Sequence, residues 1–235
     1  MTGNVDMRGV IVKSGVLSVL GAIATIPYFH YLVFAVGVST PSAGRDGWTL
    51  LGLELVLVFI LLFLSALIGF SFARRLDLPG IGDVRAWLRG LPLLIGGGLI
   101  LVAVSYFTFD RYFLMISPTS FPDETAYLLA IPFKGALAGE TILRLGLVTI
   151  GVGLTKDKDA GVIVMSAVAS LFTVRYFEFI GIPFALDPLF IVHLLFSFLG
   201  NLLLGWLFVT RGLIWSMTLT FVLGLKYLFI LWAGA

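Results

Sequence analysis

Residues 137–146 read LAGETILRLG and set Glu140 and Arg144 inside an apolar run that extends over residues 126–153. A helix that crosses a bilayer needs about 20 apolar residues, so this run is long enough to span a membrane with two charges near its middle. The charges lie one helical turn apart with the acid on the N-terminal side, the order that favours an ion pair on one helix face.

The rest of the chain has the same character. Of its 235 residues 60% are hydrophobic and 12% are charged, and the mean hydropathy is +1.10. A soluble domain carries about 45–50% apolar and about 25% charged residues, so this composition is that of an integral membrane protein. Further apolar stretches at about 15–38, 48–72, 91–109, 160–180, 186–209 and 212–233 bring the expected spans to seven. Backbone N–H and C=O groups in hydrocarbon must be satisfied within the segment, which makes each span helical. A closed barrel would need alternating strands of about ten residues, and no such alternation occurs. The expected fold is all-α, a polytopic membrane helix bundle forming a single transmembrane domain over residues 1–235. The apolar stretch behind MTGNVDMRGVIVKSG outruns a signal-peptide core, so it is expected to stay as the first span.

Lysine and arginine set the orientation. With seven spans, one side holds Arg8, Lys13, Arg74, Arg75, Arg85, Arg89, Lys156, Lys158 and Arg211, and the other holds Arg45 and Arg111. Nine against two puts the N-terminus in the cytoplasm and the C-terminus outside, in a plasma (inner) membrane. Two connections stand out. In DLPGIGDVRAWLRG, residues 77–90, a Pro/Gly turn precedes Val84, Trp87, Leu88 and Leu91 set against Arg85 and Arg89, a pattern that fits a short helix in the membrane interface or a solvated loop. DRYFLMISPTSFPDETA, residues 110–126, has the aromatics and prolines to cap the outer side.

Inside the spans the polar set is small: Lys134, Glu140, Arg144, Arg175, Glu178, Lys226, His30, His193 and Asn201. An ionisable group in hydrocarbon costs about 2.5–3.5 kcal/mol, so it normally faces the bundle interior with a partner. Glu140 with Arg144, and Arg175 with Glu178, have the spacing of structural ion pairs as well as of site residues. His193 and Asn201, eight apart, project toward one side, and either can serve as an interhelical hydrogen-bonding group. His30 follows Pro27 at a kink, while Lys134 and Lys226 are long enough to snorkel. Gly96, Gly97, Gly98, Gly200 and Gly205 read as points of close helix approach. No HExxH, GxSxG or GxxxxGK[ST] occurs, there is no cysteine, and no basic stripe remains for nucleic acid once the topological charges are set aside. No motif names a metal or cofactor.

Three segments, taken in order, resemble a known family. FKGALAGETILRLGLVTIGVGL (133–154) resembles the first motif of the CPBP family, the CAAX protease and bacteriocin-processing membrane proteins, in which EExxxR is followed by a glycine. SAVASLFTVRYF (166–177) resembles the segment around its second motif, FxxxH. FLGNLLLGWLFVTRGLIWSMTLTF (198–221) resembles its glycine-bearing helix, the short basic turn ending in Gly-x-x-Trp and the helix of the last motif, HxxxN. The likeness covers about residues 126–228. It implies an intramembrane endopeptidase in which a glutamate activates water while His and Asn side chains stabilise the oxyanion. Glu140 and Arg144 take the places of the second glutamate and the arginine, and Gly139 that of the first glutamate. Phe172 and Tyr176 take the places of the second motif's aromatic and histidine, and Phe221 and Leu225 those of the last motif's His and Asn. A phenylalanine can neither donate a hydrogen bond nor exchange a proton, and a tyrosine is a poor general base but a competent donor. The candidate site is therefore Glu140, Arg144 and Tyr176, with His193 and Asn201 as the interior groups able to stand in for the missing ones.

Three functions compete on this reading. The first is an endopeptidase, with a degenerate active site, that cuts prenylated or otherwise hydrophobic peptides near the cytoplasmic face. The second is a non-catalytic binding or assembly subunit whose inherited cavity takes membrane lipid, such a peptide or another membrane protein. The third is a small transporter, which the charged interior would serve but which no inverted repeat supports.

Overall fold

A computed structural model describes residues 7–35, 47–111, 125–179 and 188–228. All regular structure among them is helical. The helices are α1 (Met7–His30), α2 (Gly47–Ala73), α3 (Val84–Ser105), α4 (Thr125–Thr155), α5 (Lys158–Phe179), α6 (Pro188–Arg211) and α7 (Leu213–Gly224). Five helical segments are long and apolar enough to cross a membrane: Met7–Phe34, Gly47–Ala73, Val84–Thr108, Thr125–Thr155 and Phe190–Arg211. Each matches one of the expected spans, and Leu213–Leu228 adds a shorter apolar helix.

The segment that carries Glu140 and Arg144 is the central one. Over its most apolar part α4 is 56% buried, against 17–22% for the other four long apolar segments, and it packs against α1, α2, α5, α6 and α7. Apolar side chains gain little from leaving lipid for one another, so helices associate where small residues let backbones come close. That happens between α2 and α4. A Cβ on Gly69 would lie 2.3 Å from the Leu145 carbonyl oxygen, and one on Gly146 would lie 2.9 Å from Ser65 Cβ. Ala66, Leu145, Val148 and Val152 continue this contact into a core completed by Phe208 and Val209 of α6. Around Glu140 the helix widens into π turns, Gly135–Gly139 and Thr141–Val148, and the Glu140 N–H donates to the Gly135 carbonyl five residues back.

Several sequence expectations need correction. Residues 84–90 form neither a separate interfacial helix nor a loop; they are the first two turns of α3. Asp83 caps them by accepting from the Arg85 N–H (2.8 Å) and the Ala86 N–H (3.3 Å). Trp87 turns inward, donating from Nε1 to Thr218 Oγ1 at 2.9 Å and packing on the cluster of Leu94, Leu204, Trp215 and Leu219. Of the glycines expected at close approaches, Gly98 and Gly205 meet Val222 and Val162, whereas Gly96, Gly97 and Gly200 face open space within 4 Å. The capping role expected for residues 110–126 falls mostly on residues 112–124, outside the described residues.

The basic loops meet at one end of the bundle. The Leu213 and Ile214 N–H groups donate to the carbonyls of Gly80 (2.9 Å) and Ile81 (3.0 Å), which joins the α2–α3 loop to the start of α7. Gly82 and Gly212 touch at the centre of this junction, both with left-handed φ of about +100° (+99° and +103°), and a Cβ on Gly212 would sit 2.5 Å from Gly82 Cα. Lys158 at the start of α5 binds Asp77 of the same loop at 3.0 Å.

Candidate functional site

The interior charges fall into two groups at different depths. The first is built on α4. Its packing against five helices leaves Glu140 2% and Arg144 1% exposed, so each must find partners within the protein. Arg144 Nε lies 3.3 Å from Glu140 Oε2, an ion pair whose alignment falls short of a hydrogen bond. Arg144 Nη2 donates to Asn201 Oδ1 on α6 at 2.6 Å, and Asn201 Nδ2 donates to the Ser197 carbonyl at 3.0 Å. From α7, Thr220 Oγ1 donates to Glu140 Oε1 at 2.9 Å. Three helices thus meet on one acid–base pair. Arg144 Nη1 has no hydrogen-bond partner among the described residues.

The second group lies toward the end opposite the basic loops. Lys226, beyond α7, binds Asp110 Oδ1 at 2.9 Å, and Ser105 Oγ donates to Asp110 Oδ2 at 2.8 Å. His193 lies on α6, within electrostatic reach of Lys226 and Asp110. Lys226 does not snorkel, because it has a buried acid as partner. Lys134 does not snorkel either: its Nζ lies 3.0 Å from the centroid of the Tyr28 ring, and Tyr127 stacks against Tyr28 and Tyr31 beside it.

Of the candidate residues, Glu140, Arg144 and Asn201 come together. The side chains of Arg175, Tyr176 and Glu178 lie outside the described residues. His30 rests at the end of α1 against Phe34 and Trp48, with ring centroids at 4.8 and 6.3 Å. Two members were missed in the sequence, Thr220 and Asp110. Thr220 immediately precedes Phe221, the position compared with the last family motif; α7 does face Glu140, but through Thr220, while Phe221 packs edge-on against Phe133 at 5.0 Å. At Gly139, where the family's first glutamate would stand, a Cβ would have only the Lys134 carbonyl within reach, at 4.0 Å. Glu54, also passed over, is exposed on α2.

Chemically, the α4 group is a carboxylate held on one oxygen by a hydroxyl and faced on the other by a guanidinium. Among the described residues no three His, Asp or Glu side chains are grouped to hold a metal ion. Compared with known protein families, with curated proteins and with solved structures, the chain matches none.

Proposed function

We propose that this chain is a seven-span protein of the plasma (inner) membrane, N-terminus in the cytoplasm, whose CPBP-like helix has become structural. It then works as a non-catalytic binding or assembly subunit. The observation that carries this reading is the engagement of Glu140 by its own chain, with Thr220 on one oxygen and Arg144 at the other and 2% exposure. A general base must reach the water it deprotonates. Glu140 Oε2 accepts no hydrogen bond from any described residue, a histidine included, and His30 closes α1 against Phe34 and Trp48. Of the donors beside Glu140, Thr220 is spent on Oε1 and Arg144 gives Nη2 to Asn201.

One observation favours the endopeptidase instead. Arg144 Nη1 and Glu140 Oε2 are buried with hydrogen-bonding capacity unused among the described residues, as in a site that completes itself on a substrate. Cleavage of a farnesylated CaaX peptide and of a hydrophobic peptide mixture, by the protein in lipid and read by mass spectrometry, separates the two. The subunit reading expects no cleavage by wild type or Glu140→Gln, and a stoichiometric partner when the protein is purified from its native membrane in mild detergent. Turnover by wild type that Glu140→Gln abolishes would overturn it.

A further inference from the structure

At the basic end, two neighbouring cavities share part of their walls. The first, of about 340 Å³, lies between α1, the end of α2 and the loop that follows it, and its wall carries Lys13, Arg74 and the backbone of Gly80 and Gly82. The second, of about 290 Å³, is apolar and follows α1 and α7 past Val16, Leu17, Leu20 and Met217. They share Lys13, Phe70 and Ile81. Together they form one groove with a cationic mouth and an apolar channel leading along the bundle.

The charges at the mouth are one-sided. Lys13 and Arg74 are exposed, no acid lines either cavity, and neither residue has an ion-pair partner among the described residues. The described acids that follow Arg74 in sequence are committed elsewhere, Asp77 to Lys158 and Asp83 to the start of α3. The mouth's wall is fixed in shape, because the loop that forms it is bonded through its backbone to α7. Residues 1–6, MTGNVD, offer only Met1 and Val5 as large apolar groups, too few to fill the channel.

We propose that this groove holds one anionic phospholipid, its phosphate between Lys13 and Arg74 and one acyl chain along α1 and α7. The ligand needs both parts: a negative headgroup for the two cations and a hydrocarbon chain for the channel behind them. This site is separate from the Glu140 group and does not depend on whether Glu140 is catalytic.

Native mass spectrometry of the full-length chain, released from zwitterionic detergent and titrated with dioleoyl phosphatidylglycerol or dioleoyl phosphatidylcholine, tests it. One phosphatidylglycerol per chain is expected to survive activation that strips phosphatidylcholine. Basic residues near an anionic surface contribute enough that losing two weakens binding about thirty-fold, which is the result expected for Lys13→Gln/Arg74→Gln. Val16→Trp, an exposed position that narrows the channel, should lower phosphatidylglycerol binding while the cations remain. Inorganic phosphate and glycerophosphoglycerol distinguish a free anion from a lipid: neither should displace the bound phosphatidylglycerol. Displacement by either, equal retention of the two lipids, or unchanged binding in both variants would overturn the proposal. So would a large gain in binding on deleting residues 2–6, which would make that segment the occupant.

Discussion

At the scale of single residues, the pair in the middle of α4 decides most. Burying Glu140 and Arg144 is tolerable only because each is the other's counter-charge and because Asn201 and Thr220 add hydrogen bonds from two other helices. Removing one partner of such a pair leaves the other buried and uncompensated at a cost of about 3–5 kcal/mol, while replacing both with apolar residues is often close to neutral. Arg144→Leu and Glu140→Leu should each lower the unfolding temperature in detergent markedly, and the double variant should recover most of the loss. Additive losses in the double variant would show that the two are not coupled. Thr220→Val is expected to cost about 1 kcal/mol. Glu140, Arg144 and Asn201 could be found in the sequence because charged and amide side chains are rare in hydrocarbon. Thr220 could not, since hydroxyls in such helices commonly satisfy themselves on their own backbone, as Thr218 does on Ile214 and Ser170 on Ser166. Asp110 sits at a span end beside Arg111, where a charge reads as part of a loop.

At the scale of elements, apolar length located the long helices, and small residues set how closely they pack. Gly69 and Gly146 let α2 and α4 meet backbone to backbone, whereas Gly200 faces open space. Gly69→Leu should therefore displace α2 from α4 and lower both stability and the yield of monodisperse protein. Gly200→Ala should be neutral or stabilising by up to about 1 kcal/mol, because alanine is the better helix former. Unfolding temperature and size-exclusion profile check both. The start of α3 could not be read in advance. Val84, Trp87, Leu88 and Leu91 against Arg85 and Arg89 make the same amphipathic pattern on a helix lying in the interface as on the first turns of a span. The Asp83 cap and the hydrogen bond from Trp87 to Thr218 distinguish the two, and the latter depends on a residue 131 positions away. The π turns around Glu140 were equally hidden, because a hydrophobic pattern does not register one additional residue in a turn.

At the scale of the whole molecule, the charge asymmetry in the sequence has a physical counterpart: Lys13, Arg74, Lys158 and Arg211 all border the same set of loops. The absence of cysteine makes topology directly measurable. With seven spans, Thr2→Cys should react with a membrane-impermeant maleimide only after the cells are permeabilised, and Ala235→Cys should react in intact cells. Labelling of both from one side would require an even number of crossings and would remove the seven-span reading. The two ends of the bundle are also fastened by different means. At the basic end, backbone hydrogen bonds close over the Gly82–Gly212 contact, while at the other end Asp110 and Lys226 tie α3 to α7 through side chains. The main-chain joint has no charge to lose but no room for a side chain at Gly82 or Gly212, whereas one made of an acid and an amine is lost when either is replaced. Added bulk therefore threatens one end of the bundle, and loss of charge the other.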